Sequence, residues 1–306
     1  MPQEPPPPTR DDLEALARWG RWLCVSTVAA SGAGHVGGPL SAMDILVALY
    51  FRVLRIRPQE PDWPERDRFI LSKGHSSIAL YAAMAMRGYL PIEELATFDK
   101  GDSRLQGHPD MTRLPGLDAS TGSLGQGLAV GLGIALGARM RGLDAHTFVM
   151  LGDGECQEGM VWESVNLAVR HGAGNLTAIV DQNGLQQYGW PADDMGADPG
   201  DRADPWPGRR LGAAFDAFGW RVVEIDGHDF EAILAACTEA RDRPVDGPPT
   251  AILARTVKGR GVSFAEGRHH WHSRVATAEE VARARAELGI DERTGRPIPA
   301  WPAVRP

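Results

Sequence analysis

Two short apolar runs, Thr147 to Leu151 and Leu176 to Val180, bracket a segment from Gln157 to Arg170 whose apolar residues recur at helical spacing. Strand, helix and strand in that order predict parallel pairing, and the alternation continues on both sides. Arg68 to Leu71, Trp220 to Ile225 and Thr250 to Thr256 read as further strands. Leu13 to Ala30, Leu40 to Val53, Ser76 to Arg87, Thr121 to Arg141 and Phe230 to Arg241 read as helices. The expected fold class is therefore α/β, a mostly parallel central sheet of roughly five strands with helices on both faces. No repeat divides the chain. One domain, 10–288, is expected between a Pro-rich, extended arm at 1–9 and a tail at 289–306 containing Pro297, Pro299 and Pro302. The Pro-, Gly- and Asp-rich stretch 191–208 reads as a surface excursion of that domain.

Composition removes several function classes. The 32 Lys+Arg against 40 Asp+Glu give a net charge of −8, spread through the chain, which argues against a nucleic-acid or membrane-surface binder. Cys24, Cys156 and Cys237 are far apart and form no CxxC pair, so neither a disulfide framework nor a zinc knuckle is encoded. A reducing cytoplasm is the expected compartment. The first residues lack the basic start and apolar run of a secretory signal, and the small-and-apolar stretch Leu128 to Ala138 is too short to span a bilayer.

Chemistry concentrates where strands end. Gly152-Asp153-Gly154 directly follows one strand, and Asn183 lies at the end of the next. Strand C-termini of a parallel sheet line one crevice, so the Asp153 carboxylate and the Asn183 amide oxygen can meet one hard cation there. Mg²⁺ takes an octahedron of oxygens, and the Leu185 carbonyl, two phosphate oxygens and a water would complete it; Ca²⁺ or Mn²⁺ can stand in its place. Gly154 lets a phosphate approach the backbone. Alone, Gly-Asp-Gly reads first as a β-turn, and Asn183 is what shifts the reading to the metal-diphosphate site.

Strand, turn, helix, strand and then Asp181-Gln182-Asn183 resembles the thiamine diphosphate signature, in its transketolase version. Ser31 to His35 with Gly37 to Leu40, Ser72-Lys73-Gly74-His75, Gly107-His108-Pro109, Thr121 to Gly127, Gly152 to Gly159, Val223 to Asp229, Thr256 to Gly261 and Trp271-His272 resemble transketolase motifs, in the family's order. The resemblance spans roughly residues 10 to 275 and identifies the chain as similar to the N-terminal, diphosphate-binding half of transketolase made as a separate polypeptide.

That resemblance implies the roles of individual residues. His75 and His272 would hydrogen-bond the diphosphate. His35 and His108 would reach the sugar's hydroxyl and carbonyl oxygens, with His272 sharing in that proton traffic. Leu124 would support the cofactor's bend and Gly122 would admit its aminopyrimidine. Glu158 would join an acidic network at a subunit interface, although a first-turn helix carboxylate favoured by the macrodipole is an equal reading. The implied activity is transfer of a two-carbon ketol unit from a ketose or ketose phosphate to an aldose, with a separate pyrimidine-binding C-terminal subunit completing an α2β2 heterotetramer. The alternatives are a 2-oxo acid decarboxylating or acyloin-forming subunit, and a non-catalytic cofactor-binding subunit. Ser123 and Ser273 depart from the family's usual proline and glycine.

Other features read as structure. His146, His171 and His228 are expected to be hydrogen-bonded scaffold residues. His269, His270 and His272 lack the further ligands zinc needs. Lys258 fits either a structural cation or a group beside the cofactor. Gly125, Gly127 and Gly131 lie near one helix face, as a tight subunit interface would require.

Overall fold

The computed structural model describes residues 7–187 and 210–297. Residues 1–6 of the Pro-rich arm, the 191–208 excursion and residues 298–306 of the tail lie outside the described residues. Five parallel strands form one sheet, in the order β1 (Arg68–Leu71), β2 (Thr147–Gly152), β3 (Leu176–Gln182), β5 (Thr250–Arg255), β4 (Arg221–Asp226). The register pairs Gly152 with Asp181 and Asp181 with Ala254, so the polar residues that end β2 and β3 emerge at the same level.

The strands are apolar throughout because both sheet faces are covered. Phe148, Met150, Ile179 and Ile252 point into a core built with α1 (Arg10–Ser31), α2 (Gly37–Ala48), α3 (Ser77–Arg87), α7 (Phe230–Arg241) and α8 (Ala278–Glu287). Their neighbours Val149, Leu151, Val180 and Leu253 point into a second core under α4 (Gly127–Met140), α5 (Gly159–Arg170) and α6 (Leu211–Ala217).

Helix boundaries follow local chemistry that periodicity does not register. Thr9 starts α1, its side chain accepting from Asp12 N (3.3 Å) while the Asp12 carboxylate accepts from Thr9 N (2.8 Å). The expected helix from Thr121 begins only at Gly127, because Gly122 (φ 147°) and Gly125 (φ 83°) hold residues 121–126 in a loop. Residues 155–157 form a 3₁₀ turn before α5. In the described part of the tail, Ile290 bridges to Pro297 and the Arg296 guanidinium lies 5.3 Å from the Trp19 ring centre.

Candidate active site

Four strand ends meet at the C-terminal edge of the sheet. The buried Lys73, just past β1, pairs with Asp181 on β3. Asp181 also accepts from Ser41 Oγ (2.6 Å) and from the Thr256 hydroxyl, and Lys73 Nζ donates to Gly38 O (3.0 Å). Burial works against the Asp181 carboxylate, yet Lys73 and these donors hold its pKa below the ordinary range. Strands β1, β3 and β5 and helix α2 are thereby pinned under one cavity.

That cavity, about 300 Å³, is lined by Gly38, Lys73, His75 and Leu124 together with Asp153, Gly154, Asn183, Leu185, Lys258 and His272. Asp153 is 3% exposed. Its Oδ1 accepts from Gly154 N (2.8 Å) and its Oδ2 from Gly184 N (2.6 Å), so two backbone groups fix its direction. Burial, and then the neighbouring Asp181 charge, push its pKa up to about 6, which leaves it suited to a compensating cation. Asn183 Oδ1 accepts from Leu185 N (3.1 Å), bringing the amide and the following backbone together in one turn. A carboxylate, an amide oxygen and a carbonyl are the donor set of a hard divalent cation. The buried, unpartnered Gln186 Nε2 beside them is a donor available to an anion, so the residues fit a metal-diphosphate group. Gly122 belongs to the same arrangement: a Cβ built there would stand 3.0 Å from His108 Cδ2.

The histidines that the motifs single out converge. His35 lies 5.1 Å from His75, 5.0 Å from His272 and 6.3 Å from His108, ring centre to ring centre, and His75 lies 5.0 Å from His272. Burial, followed by neighbouring cations and imidazoles, lowers the pKa of His35 to about 4, of His272 to about 3 and of His75 to about 2. These three rings are neutral at physiological pH, each with one N–H donor and one acceptor nitrogen, that of His272 facing the Lys258 ammonium at 3.2 Å. Backbone bonds hold the outer wall in place: Val36 N donates to His272 O (3.3 Å) and Gly259 N to Gly37 O (3.0 Å).

Sequence patterns missed Glu155. Its buried carboxylate accepts from Ser72 Oγ, from Gly125 N (2.9 Å) and from Gly152 N (3.0 Å), tying together three of the motif loops. A glutamate within a glycine-rich turn carries no signal of burial. Glu158, by contrast, is exposed at the N-terminus of α5, beside Gly125, and lines the same cavity as His75 and His272.

The glycine face is a correction. A Cβ on Gly127 would lie 2.3 Å from Ser72 Oγ and one on Gly131 2.4 Å from Val149 Cγ2, so both glycines serve helix-on-sheet packing, and Gly125 lies outside the helix. Gly133 and Gly137 instead face open space, on the side that exposes Val130 and Met140. His228 and His146 are scaffold residues as expected: His228 lies between Asp44 (2.6 Å) and Val257 N (2.9 Å), and His146 Nε2 is 2.8 Å from Thr177 Oγ1. Among the described residues no three His, Cys, Asp or Glu side chains converge as a metal cluster.

Residues 13–300 match the family described as transketolase, thiamine diphosphate binding domain. The chain belongs to that family. It is 41% identical over 277 residues to the 6-deoxy-6-sulfo-D-fructose transketolase subunit of Clostridium sp. (strain MSTE9), covering 90% of this chain and 96% of that one. It is 38% identical over 279 residues to an apulose-4-phosphate transketolase subunit from Actinobacillus succinogenes, covering 91% and 96%. The Campylobacter jejuni transketolase structure superposes with a TM-score of 0.82 at 30% identity, over 93% of this chain but only 44% of that one. This transketolase-family chain therefore spans under half of that solved transketolase and nearly all of the two subunit-sized relatives.

Proposed function

We propose that the chain is the diphosphate-binding subunit of a two-chain transketolase, moving a two-carbon ketol unit from a ketose or ketose phosphate to an aldose. The observation that carries this reading is the cluster of four histidines set over the Asp153 cavity. Asp153, Asn183 and the Leu185 carbonyl supply the protein oxygens for Mg²⁺, or for Ca²⁺ or Mn²⁺ in its place. Gly154 and Gly122 admit the cofactor close to the backbone, Leu124 gives it apolar support, and His75 and His272 donate to its diphosphate. Bound thiamine diphosphate supplies the nucleophilic carbon that the cleavage next to a carbonyl requires. His35 and His108 hydrogen-bond the sugar's oxygens, and the neutral His35 can take a proton from a hydroxyl and return it.

A second chain would provide the pyrimidine-binding half and the glutamate that promotes the cofactor's reactive tautomer. An α2β2 assembly follows if two copies of this chain pack across α4 and α5, whose outer face exposes Met140 (88%), Val130 and Leu167, with Glu158 at its rim. Three buried free cysteines suit a reducing cytoplasm. No helix among the described residues is long and apolar enough to cross a membrane.

The test is reconstitution. The purified chain with thiamine diphosphate and Mg²⁺ should show no ketol transfer, and addition of the pyrimidine-binding chain should produce it from a ketose phosphate but not from pyruvate. Asp153→Asn should weaken metal and cofactor binding together. Activity of the isolated chain, or a preference for pyruvate, would reject the reading.

A further inference from the structure

No residue of the Val223 to Asp229 motif lines the cavity. Its polar groups instead build one turn between β4 and α7. Asp226 Oδ1 accepts from His228 N (2.8 Å), and Asp229 Oδ1 accepts from Glu231 N (3.1 Å) to cap α7. Gly227 N donates to Arg255 O (2.7 Å), and a Cβ on Gly227 would lie 2.5 Å from Thr256 Cγ2. The turn is thus pressed against the loop that follows β5, and the His228 ring bridges out of it. Its Nδ1 lies 2.6 Å from Asp44 Oδ2, and its Nε2 accepts from Val257 N (2.9 Å). A backbone N–H can only donate, so Nε2 is the acceptor nitrogen and the ring proton sits on Nδ1, facing Asp44. Burial works against the Asp44 carboxylate, but Arg21, in direct contact with it, and His228 hold its pKa below the ordinary range. The Arg21, Asp44 and His228 side chains are only 7–9% exposed, so little water competes for these bonds.

We propose that His228 is a positioning residue of the cofactor site: as the neutral Nδ1–H tautomer fixed by Asp44, it holds the Val257 amide through Nε2 and thereby sets where the loop after β5 stands against the cavity. The residues on either side of Val257 are the ones that meet the site. The Thr256 hydroxyl donates to Asp181 beneath the cavity, and Lys258 lines the cavity, its Nζ donating to Gln186 O (2.7 Å). Helix α2 grips this loop at two points two turns apart, because Gly37 O accepts from Gly259 N (3.0 Å) and Asp44 acts through His228. Gly38 of the same helix also lines the cavity, so the imidazole fixes two parts of the lining relative to each other. This inference rests on the cavity being a diphosphate site.

Two conservative variants each delete one of the two bonds. In His228→Asn the amide NH2 stands where Nδ1 stood and still donates to Asp44, but nothing reaches Val257. In His228→Gln the amide oxygen stands where Nε2 stood and still accepts from Val257 N, while the bond to Asp44 is lost. The probe is inorganic pyrophosphate with Mg²⁺, titrated calorimetrically into the full chain, together with thermal unfolding of each protein without ligand. Both variants should lower Tm, His228→Gln by more, because it gives up a bond to a charge. Affinity should rank the other way: roughly 3- to 10-fold weaker in His228→Asn, the size of one lost hydrogen bond, and within about 2-fold of wild type in His228→Gln. Hydrogen exchange of the Val257 amide should quicken in the first variant and not in the second. Affinities that follow Tm, or that are equal in the two variants, overturn the proposal, since a merely structural histidine would rank them alike in both measurements. So does an unchanged Val257 exchange rate in His228→Asn. Absence of pyrophosphate binding by the wild-type chain would instead remove the diphosphate reading of the cavity itself, and this inference with it.

Discussion

Replacing Glu155 by Gln changes one atom in the middle of the site. The carboxylate offers Oε1 to Ser72 Oγ and Gly125 N, and Oε2 to Gly152 N. A glutamine fits the same space but has one acceptor oxygen, so its NH2 must face a donor on one side. The less costly orientation keeps Ser72 and Gly125 satisfied and turns the NH2 toward Gly152 N–H. That leaves a backbone donor unpaired, at about 1–3 kcal/mol. The variant also removes a buried charge, whose desolvation raises the Glu155 pKa, and this offsets part of the loss. The net expectation is about 1–2 kcal/mol, and at about 2 °C per kcal/mol for a chain of this size Tm falls by ~2–4 °C. The loop carrying Leu124 loses part of its tether as well, so the Tm rise produced by thiamine diphosphate and Mg²⁺ should shrink. Scanning calorimetry with and without ligand reads both effects. An unchanged Tm together with an unchanged ligand response would refute the assignment of Glu155 as the tie between loops. So would strict additivity of Glu155→Gln with Ser72→Ala, because residues in one network couple by about 0.5 kcal/mol or more.

Two further predictions concern the scaffold. His146 is 2% exposed, and burial, then Arg241, lower its pKa to about 3. Between its unfolded value near 6.5 and that folded value the unfolded chain binds more protons, so His146 withdraws stability as pH falls, by about 2 kcal/mol at pH 5. Asp153, with its raised folded pKa of about 6, acts in the opposite sense, adding stability as pH falls through that value. His146→Gln should remove about 2 kcal/mol of the stability difference between pH 7 and pH 5 measured by urea unfolding; an unaltered difference would exclude a neutral His146. Gly131→Ala, whose Cβ meets Val149 at 2.4 Å, should destabilise by about 1–3 kcal/mol, whereas Gly137→Ala, with open space around it, should stabilise the isolated chain by about 0.5–1 kcal/mol. Urea midpoints that moved alike in both variants would place the two glycines in the same environment.

The strands were legible because a parallel sheet covered on both faces needs unbroken apolar runs, and Phe148 and Val149 serve opposite cores from adjacent positions. The Asp153 and Asn183 turns were legible for a related reason, since polar residues immediately after such runs must emerge at one sheet edge. Periodicity could say that Gly127 and Gly131 share a face, but not whether that face looks at Val149 or at solvent. Residues 121–126 resembled the start of a helix until positive φ at Gly122 and Gly125 bent them into a loop. Glu155 escaped notice and Lys258 stayed ambiguous because charged residues read as surface in a sequence, and only tertiary packing shows that both are buried.

Charge balance explains why those buried groups occur together. Beneath the cavity Asp181 is in direct contact with Lys73, a pair that closes on itself. Asp153 and Lys258 have opposite charges too, yet no ion pair joins them, and each instead contacts polar groups of the neighbouring turns. Had they paired, the cavity would be electrostatically complete and would gain little from a bound salt. Held apart, the carboxylate lacks a cation and the ammonium an anion, and the proposed metal-diphosphate group would supply both as one unit. The three neutral histidines beside them add donors and acceptors without adding charge, so the balance is left to the ligand. On this argument the separation of Asp153 from Lys258 matters as much for binding as the identity of either residue.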